Sequence, residues 1–457
     1  MKSAGGVAGT GRGAILRCMS LRDHVEQRVA RTTRWGLGHA LPRMAIRGSA
    51  RRGDLHGRLI EATSQSDSVP VDLFDEIRAT GQLHRSRFAY VTASQPVVKE
   101  VLTSPDVHAG VDFSPDGPLA GLGAWAFRSA PMGPLTPPSL LVTEPPDHTR
   151  YRKLVTRVFS VKAVERLRGR TEKIAAELLA DLAPGSPVDL VERYCAQLPL
   201  TVIAEILGVP KADHQRVLEF GSAAAPSLDL GLDWRTFSRV ESALTEFEAW
   251  LGDHLDAVRR APGDDLLSQL VTARDENGVG LTEAELRATA GLVLAAGFET
   301  TVNLLGNGIA LLHEHPAQLR RLQADPGLWP NAVDEVLRID PPVLLTGRMV
   351  VQDTTFAGVE VPRGALVTTL LAGANRDPEI FTDPHTFDVA RENAGDHVSF
   401  SSGRHYCLGA ALARMEGEVG LRAIFDAFPD LRVLQGARRR ETRILRGYGV
   451  LPARLGG

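Results

Sequence analysis

Apolar residues recur every three or four positions along most of the chain, the spacing of helices that bury one face. In SVKAVERLRGRTEKIAAELLADL, Val161, Val164, Leu167, Ile174 and Leu178 trace such a stripe, and Ser160 stands where an N-cap belongs. A longer stretch, Leu281 to Pro316, is apolar nearly all round. It opens with Thr282 three residues ahead of Glu285, a capping box, and Leu281 and Leu286 are placed for a hydrophobic staple. Pro316 closes it. At ~1.5 Å per residue such a helix runs about 50 Å, enough to cross a molecule whose radius of gyration is about 22 Å. Glu283, Glu285, Arg287, Glu299, Asn303 and Asn307 interrupt the apolar surface, so the segment reads as a core helix and not as a membrane span. Strand signals gather in VVQDTTFAGVEVPRGALVTTLL, where β-rich runs break at Ala357-Gly358 and at Pro362-Arg363-Gly364. The expected fold class is mainly α with a small β region.

A chain of 457 residues, 43% of them apolar, can bury a large core and a ligand pocket. From about residue 60 onward there is no repeat, linker or low-complexity run, which favours one domain. The first 60 residues differ. They hold 12 Lys and Arg against three acids, a net +9, so with the whole chain at −3 the remainder carries −12. Leu21, Val25 and Val29 share a face of a basic amphipathic helix that could rest weakly on a membrane surface. Residues 1–43 are accordingly expected to be a poorly ordered basic extension, with Met19 and Met44 as internal start positions, and 44–457 the domain.

Cys18, Cys195 and Cys407 are odd in number and far apart, which offers neither a disulfide framework nor a zinc cluster and fits the cytoplasm. His313 and His315 lack the spacing of a zinc-protease motif, and GGVAGTGRG lacks the Lys-Ser/Thr ending of a phosphate loop. No flavin or nicotinamide fingerprint is present, and no nucleic-acid partner is expected.

Phe400 to Gly409, FSSGRHYCLG, is the stretch that carries chemistry. Leu408, Ala411, Leu412, Met415 and Val419 are helically spaced, so Cys407 sits where a helix begins. Free amides and the positive end of the dipole favour a sulfur anion there. Gly403 would let the backbone turn where other residues are strained, and Gly409 would let a flat ligand approach. A buried structural cysteine is the plainer alternative.

The ten residues resemble the haem-binding signature of the cytochrome P450 monooxygenases, Phe-x-x-Gly-x-His-x-Cys-x-Gly. The resemblance implies the single-domain cytochrome P450 fold, a long central helix over a buried haem b, and Cys407 as the axial iron ligand, with Phe400, His405 and Gly409 beside the cofactor. At position 401 the family usually has Gly, and here it is Ser401. AGFETT, Ala296 to Thr301, resembles the family's oxygen-binding stretch. It implies Gly297 beside the haem, Thr300 at the oxygen, and Glu299 as the acid that helps deliver protons. The Thr300 hydroxyl can take the Ala296 carbonyl four residues back, loosening the helix. Taken alone, Gly297 and Thr300 read more simply as residues chosen for close helix packing.

Glu335 and Arg338, at i and i+3, resemble the buried family pair that an arginine from a later meander completes. Arg391, with Phe387 packed against it, fits that structural role. His148 and Arg152 in HTRYR, with Arg348 and His405, match the family's partners for the haem propionates. From about Met44 the chain is similar to an actinobacterial orphan branch, the family numbered 140.

The activity implied is insertion of one oxygen atom from O2 into a lipophilic organic substrate, with electrons from a separate ferredoxin and its reductase. Arg150, Arg152, Lys153, Arg157, Arg404 and Arg414 could steer that acidic partner. Val111 to Pro138, Leu228 to Trp234, Leu292, Ala296 and Val343 to Leu345 are candidate pocket walls, mostly apolar. Two other readings stay open at this level. One is a peroxygenase that uses peroxide, whose relatives tend to replace the Glu299-Thr300 pair. The other is a non-catalytic haem-thiolate sensor, which needs neither that pair nor a pocket.

Overall fold

The computed structural model describes residues 21–63, 69–110, 120–183, 185–274 and 278–456. Along the chain the first helices are α1 (Leu21–Trp35), α2 (Leu41–Ala50), α3 (Leu55–Thr63) and α4 (Val71–Ala79). Strands β1 (His84–Arg85) and β2 (Tyr90–Thr92), helix α5 (Gln95–Thr103), strand β3 (Val107–Ala109) and helix α6 (Ala120–Phe127) follow. The helical body comprises α7 (Asp147–Thr156), α8 (Val161–Ala180), α9 (Gln197–Leu207), α10 (His214–Ala224), α11 (Trp234–Arg260) and α12 (Leu266–Thr272), with β4 (Pro187–Asp189) between α8 and α9. Then come α13 (Glu283–Glu314), α14 (Pro316–Ala324) and α15 (Trp329–Ile339). Strands β5 (Thr346–Val350), β6 (Thr354–Phe356), β7 (Val359–Val361) and β8 (Leu366–Thr369) precede the short α16 (Leu371–Ala374). Helix α17 (Ala410–Ala427) and strands β9 (Arg432–Val433), β10 (Arg438–Arg439), β11 (Tyr448–Val450) and β12 (Pro452–Arg454) end the fold.

α13 starts as its sequence dictates. Thr282 Oγ1 accepts from Glu285 N at 3.3 Å, and Glu285 Oε2 accepts from Thr282 N at 2.8 Å. Its apolar surface is satisfied by protein, because α9, α10, α11, α15 and α17 pack around it. The helix is long and apolar enough for a bilayer, yet 67% of its most apolar stretch is buried inside the molecule. Contact with α17 is close enough that a Cβ at Gly308 would lie 2.7 Å from Leu421, and one at Gly420 the same distance from Leu305. α17 is therefore seated directly under the central helix, which fixes the turn that precedes it.

The sheet is mixed, in the order β1-β2-β8-β5-β3, and β5 places Arg348 opposite Ala109 of β3 and Val367 of β8. Its breaks fall where the sequence puts them. Ala357 and Gly358 have φ of 49° and 76°, closing the β6-β7 hairpin, and Gly364 turns the chain into β8 with φ of 83°.

Three expectations change. Ser160 holds the N-cap position of α8, but its hydroxyl donates to Arg157 O at 3.0 Å instead of capping. Val161, assigned to the buried stripe, is 76% exposed, because the stripe meets its neighbours only from Val164 onward. The third change concerns residues 21–43, expected within a poorly ordered extension. They form α1, a π-helical turn over Gly36–Ala40 and the start of α2, because Ala30 and Arg34 are buried against the body. Val25 and Val29 are exposed, while residues 1–20, with Cys18 and the glycine-rich stretch, lie outside the described residues, as does the Leu21 side chain.

Candidate active site

Cys407 lies two residues before the Gly409 N-cap of α17, slightly ahead of the helix start the spacing suggested. The loop around it closes on itself: Cys407 N donates to Phe400 O at 2.9 Å, Tyr406 N to Gly403 O at 3.0 Å, and Ser401 N to Val398 O at 2.9 Å. Gly403 is required twice over. Its φ is +69°, and a Cβ would lie 2.6 Å from Leu102 O. Ser401 also adopts a left-handed conformation, φ 64°, which shows why a glycine suits that position; its buried Oγ has no hydrogen-bond partner.

The cysteine carries accessible surface, yet burial pushes its thiol upward, against the Gly409 amide, Arg152 and Arg414, which favour the anion. Both facts hold if the accessible side opens on an interior cleft. α13 gives the matching sign: Ala296 is exposed in mid-helix while Val293, Leu294 and Phe298 are buried. A Cβ added at Gly409 would meet nothing within 4 Å. Thr300 Oγ1 donates to Ala296 O at 3.2 Å, the local bond its sequence position suggested.

Gly297 is different. A Cβ there would strike Ile203 of α9 at 2.7 Å, so the glycine is explained by helix packing, and Ala296 is the residue of this turn that carries exposed surface. Glu299 and Thr300 are not joined by a hydrogen bond. Adjacent residues of a helix point about 100° apart, and Glu299 turns into the protein to form an ion pair with Arg440.

The basic residues converge. His148 and His405 lie with ring centroids 4.5 Å apart, and His148 Nε2 is buried with no hydrogen-bond partner. Arg348 is 4% exposed and donates to Thr346 Oγ1 and Gly347 O; burial lowers its pKa to about 10. Arg152 donates to Tyr406 O at 2.6 Å, beside the cysteine. Burial first, then His405 and Arg152, holds His148 neutral with a pKa of about 4. The acid that organises these groups escaped sequence reasoning. Glu144 accepts from Arg404 Nε at 2.6 Å, from Ala109 N at 2.6 Å, and lies 3.1 Å from His405 Nε2. Burial alone would raise its pKa, but these donors hold it at about 2. Nothing in its sequence neighbourhood marked it, since Pro145 and Pro146 keep Glu144 out of α7.

Glu144 alone does not balance the guanidinium groups of Arg152, Arg348 and Arg404, and the buried His148 Nε2 still has no partner. A flat dianion lying between the Cys407 turn and Ala296 fits the residues present.

Glu335 and Arg338 are fully buried and bidentate, at 2.7 and 2.8 Å, and Arg391 Nε reaches Glu335 Oε1 at 3.2 Å. Arg338 also donates to the carbonyls of Asn375, Pro384 and Thr386. Phe387 packs on His315, and Phe381 is the ring that lies under Arg338. A second overlooked acid is Glu416 of α17, wholly buried beside Thr301 and held neutral by that burial. The expected steering patch is thinner than six charges. Arg150, Arg404 and Arg414 are paired with Glu285, Glu144 and Asp334, while Arg157 is exposed.

A cysteine turn ahead of a helix packed against a long central helix, with Arg152, Arg348 and Arg404 gathered near it, is the frame of a haem-thiolate oxygenase. The family model described as Cytochrome P450 matches residues 223–325 and 328–442. The chain is 52% identical over 422 residues to the cytochrome P450 140 of Mycobacterium tuberculosis, covering 90% of this chain and 95% of that protein. It is 42% identical over 318 residues to 6-deoxyerythronolide B hydroxylase of Saccharopolyspora erythraea, covering 69% and 77%. Among solved structures, ligand-free CYP164A2 of Mycobacterium smegmatis superposes with a TM-score of 0.77 at 32% identity, over 88% of this chain and 99% of that one. The chain belongs to the cytochrome P450 family and is a haem-dependent monooxygenase.

Proposed function

We propose that this enzyme inserts one atom of O2 into a lipophilic organic molecule, working in the cytoplasm with electrons from a separate ferredoxin and its reductase. The observation that carries the reading is the accessible Cys407 sulfur in the turn just ahead of α17, a helix packed against α13, together with Ala296 exposed in the middle of α13. When bound there, haem b supplies the oxygen activation that no side chain can perform. Cys407 would hold the iron, its anion favoured by the Gly409 amide, Arg152 and Arg414. His148, Arg152, Arg348 and His405 would hold the two propionates, which give His148 Nε2 the acceptor it lacks.

Thr300 Oγ1 is the group able to hold a proton at the cleft, and Glu299 is its nearest acid in sequence. Resupply of that proton requires Glu299 to leave Arg440 or water to bridge the two residues. Leu292, Ala296 and the segment from Val343 to Leu345 would form apolar walls, whereas residues 111–119 of the expected wall lie outside the described region. The hydroxylase relative acts by name on 6-deoxyerythronolide B, which supports an organic small-molecule substrate here. Arg157 is exposed on this face, where it could meet an acidic electron donor.

The test is purification with haem, reduction under carbon monoxide, and turnover with NADPH and a surrogate ferredoxin pair. A red-shifted carbonyl band and oxygenated product are expected. A colourless protein, or a carbonyl band without the thiolate shift, would falsify the reading. Product formed from peroxide but never from O2 would move the enzyme to the peroxygenases, and ligand binding without any turnover would make it a sensor.

A further inference from the structure

We propose that residues 21–50 seat the enzyme on an anionic membrane surface, Val25, Val29, Leu41 and Met44 entering the lipid while arginines beside them meet its phosphates. The proposal does not depend on the haem site. α1, the π turn and α2 form one rod: Trp35, Ala40 and Leu41 all keep right-handed helical backbone, and Leu41 N donates to Gly36 O. A bond that reaches back five residues instead of four gives the π turn one residue more than an α turn. Everything after it is set back by about 100°.

The extra residue decides which side chains share a face. Val25 and Met44 stand nineteen residues apart, as do Ala30 and Ser49. In an unbroken α-helix that spacing would leave the two members of a pair about 100° apart, and the π turn brings both pairs into line. Leu41, which would otherwise point about 160° away from Val25, comes to about 60°. Ala30 and Ser49 are buried, Ser49 against Gly57 of α3, and Arg34 on the same side donates to both oxygens of Glu241 in α11. Turned away from them, Val25, Val29, Leu41 and Met44 are between 50% and 69% exposed. α6, packed along α1, also exposes Leu122 and Phe127.

Charge says what such a face meets. From residue 25 to residue 53 the chain holds seven arginines and one acid, Glu26. Arg31 and Arg34 are engaged by Glu241, and Arg47 lies 3.8 Å from Glu61, while Arg28 and Arg51 are exposed beside the apolar positions. Beyond the end of α2 an open hollow of about 420 Å³, with Arg52, Arg85 and Arg87 on its walls, extends the cationic surface. Its acid, Asp54, already accepts from Gly57 N, Ser86 Oγ and Arg87 N. Apolar side chains flanked by guanidinium groups repeat the layering of a bilayer, acyl chains under phosphates. An acidic protein would match the arginines and leave the exposed apolar side chains unpartnered. The chain beyond residue 60 carries a net −12, so an anionic surface attracts this end of the molecule and repels the rest.

Co-sedimentation of the haem-loaded full chain with vesicles tests this, using phosphatidylcholine alone and phosphatidylcholine with one third phosphatidylglycerol. The wild type should pellet with the anionic vesicles and far less with the neutral ones. Val29→Ser and Met44→Ser should each weaken binding about tenfold, because each withdraws apolar surface from the lipid, whereas Ala45→Ser, about 100° round the helix from Met44, should stay within about twofold. Arg28→Glu combined with Arg85→Glu should weaken binding to the anionic vesicles at least about tenfold. All these positions are exposed, so the unfolding midpoints should match wild type. A wild type that does not bind, or an equal loss in Ala45→Ser, would overturn the proposal. So would a loss confined to the arginine variant, which would mean electrostatic contact without insertion. A wild-type dimer on gel filtration that Met44→Ser separates would also overturn it, since a second copy would then cover the face. If the protein takes up no haem, the active-site reading fails, and the same measurement on the unloaded chain still decides this one.

Discussion

Arg440, one residue beyond β10, forms an ion pair with Glu299 in the middle of α13, although 140 residues separate them in sequence. Both oxygens of Glu299 are buried without a regular hydrogen bond, and burial lowers the pKa of Arg440 to about 10. Each charge is tolerated because of the other. Arg440→Met should therefore cost about 3–5 kcal/mol in denaturant unfolding. Adding Glu299→Gln should restore most of that loss, and a double variant as unstable as the single one would show that the two residues act separately.

Thr300→Ala removes the hydroxyl that bonds the Ala296 carbonyl and leaves the helix otherwise intact. NADPH and O2 consumption should continue while product per NADPH falls at least about tenfold, with peroxide released. Assay of product and peroxide together decides it, since a variant that keeps wild-type coupling excludes Thr300 from proton delivery.

Ser401 pays for a left-handed backbone and for an unpartnered buried hydroxyl. Ser401→Gly removes both costs against a smaller loss in chain entropy, so stability should rise by about 1 kcal/mol. A urea midpoint at or below wild type would contradict this.

Arg338→Lys keeps a positive charge but surrenders the fork that serves Glu335 and three backbone carbonyls at once. The expected loss is about 3 kcal/mol, accompanied by weaker haem retention because the same loops support the Cys407 turn. Haem content after gel filtration and the unfolding midpoint should fall together.

His56 is buried and its pKa is lowered to about 4, mainly by burial. In the unfolded chain it takes a proton near pH 6.5, so between pH 6.5 and 4 the unfolded state binds more protons and stability drops as pH falls. Below pH 4 both states are protonated and this contribution stops changing. His56→Leu should flatten the slope of Tm against pH across that window; an unchanged slope would exclude His56 as its source.

Periodicity and local chemistry revealed the central helix, its capping box, the hairpin turns and the Thr300 bond, because each depends on residues close in sequence. The Cys407 turn was legible for the same reason, down to the glycine at 403. Glu144 and Arg440 were not. Each acquires its role through groups brought together by the sheet and the C-terminal strands, and a lone acid or arginine in a loop has no periodic signature. Gly297 misled because a glycine required by Ile203 reads in sequence like one required by a ligand. The basic N-terminal stretch was judged by its net charge, which hides the fact that two of its arginines share a single acid on α11.

That shared acid bears on how the enzyme is produced for study. A polypeptide begun at Met44, a natural choice for anyone trimming a cationic leader from an expression plasmid, would keep Glu241 and discard both guanidinium groups. The shortened product would inherit a stranded negative charge on α11, and a preparation that binds haem poorly or precipitates would reflect the trimming and not the enzyme.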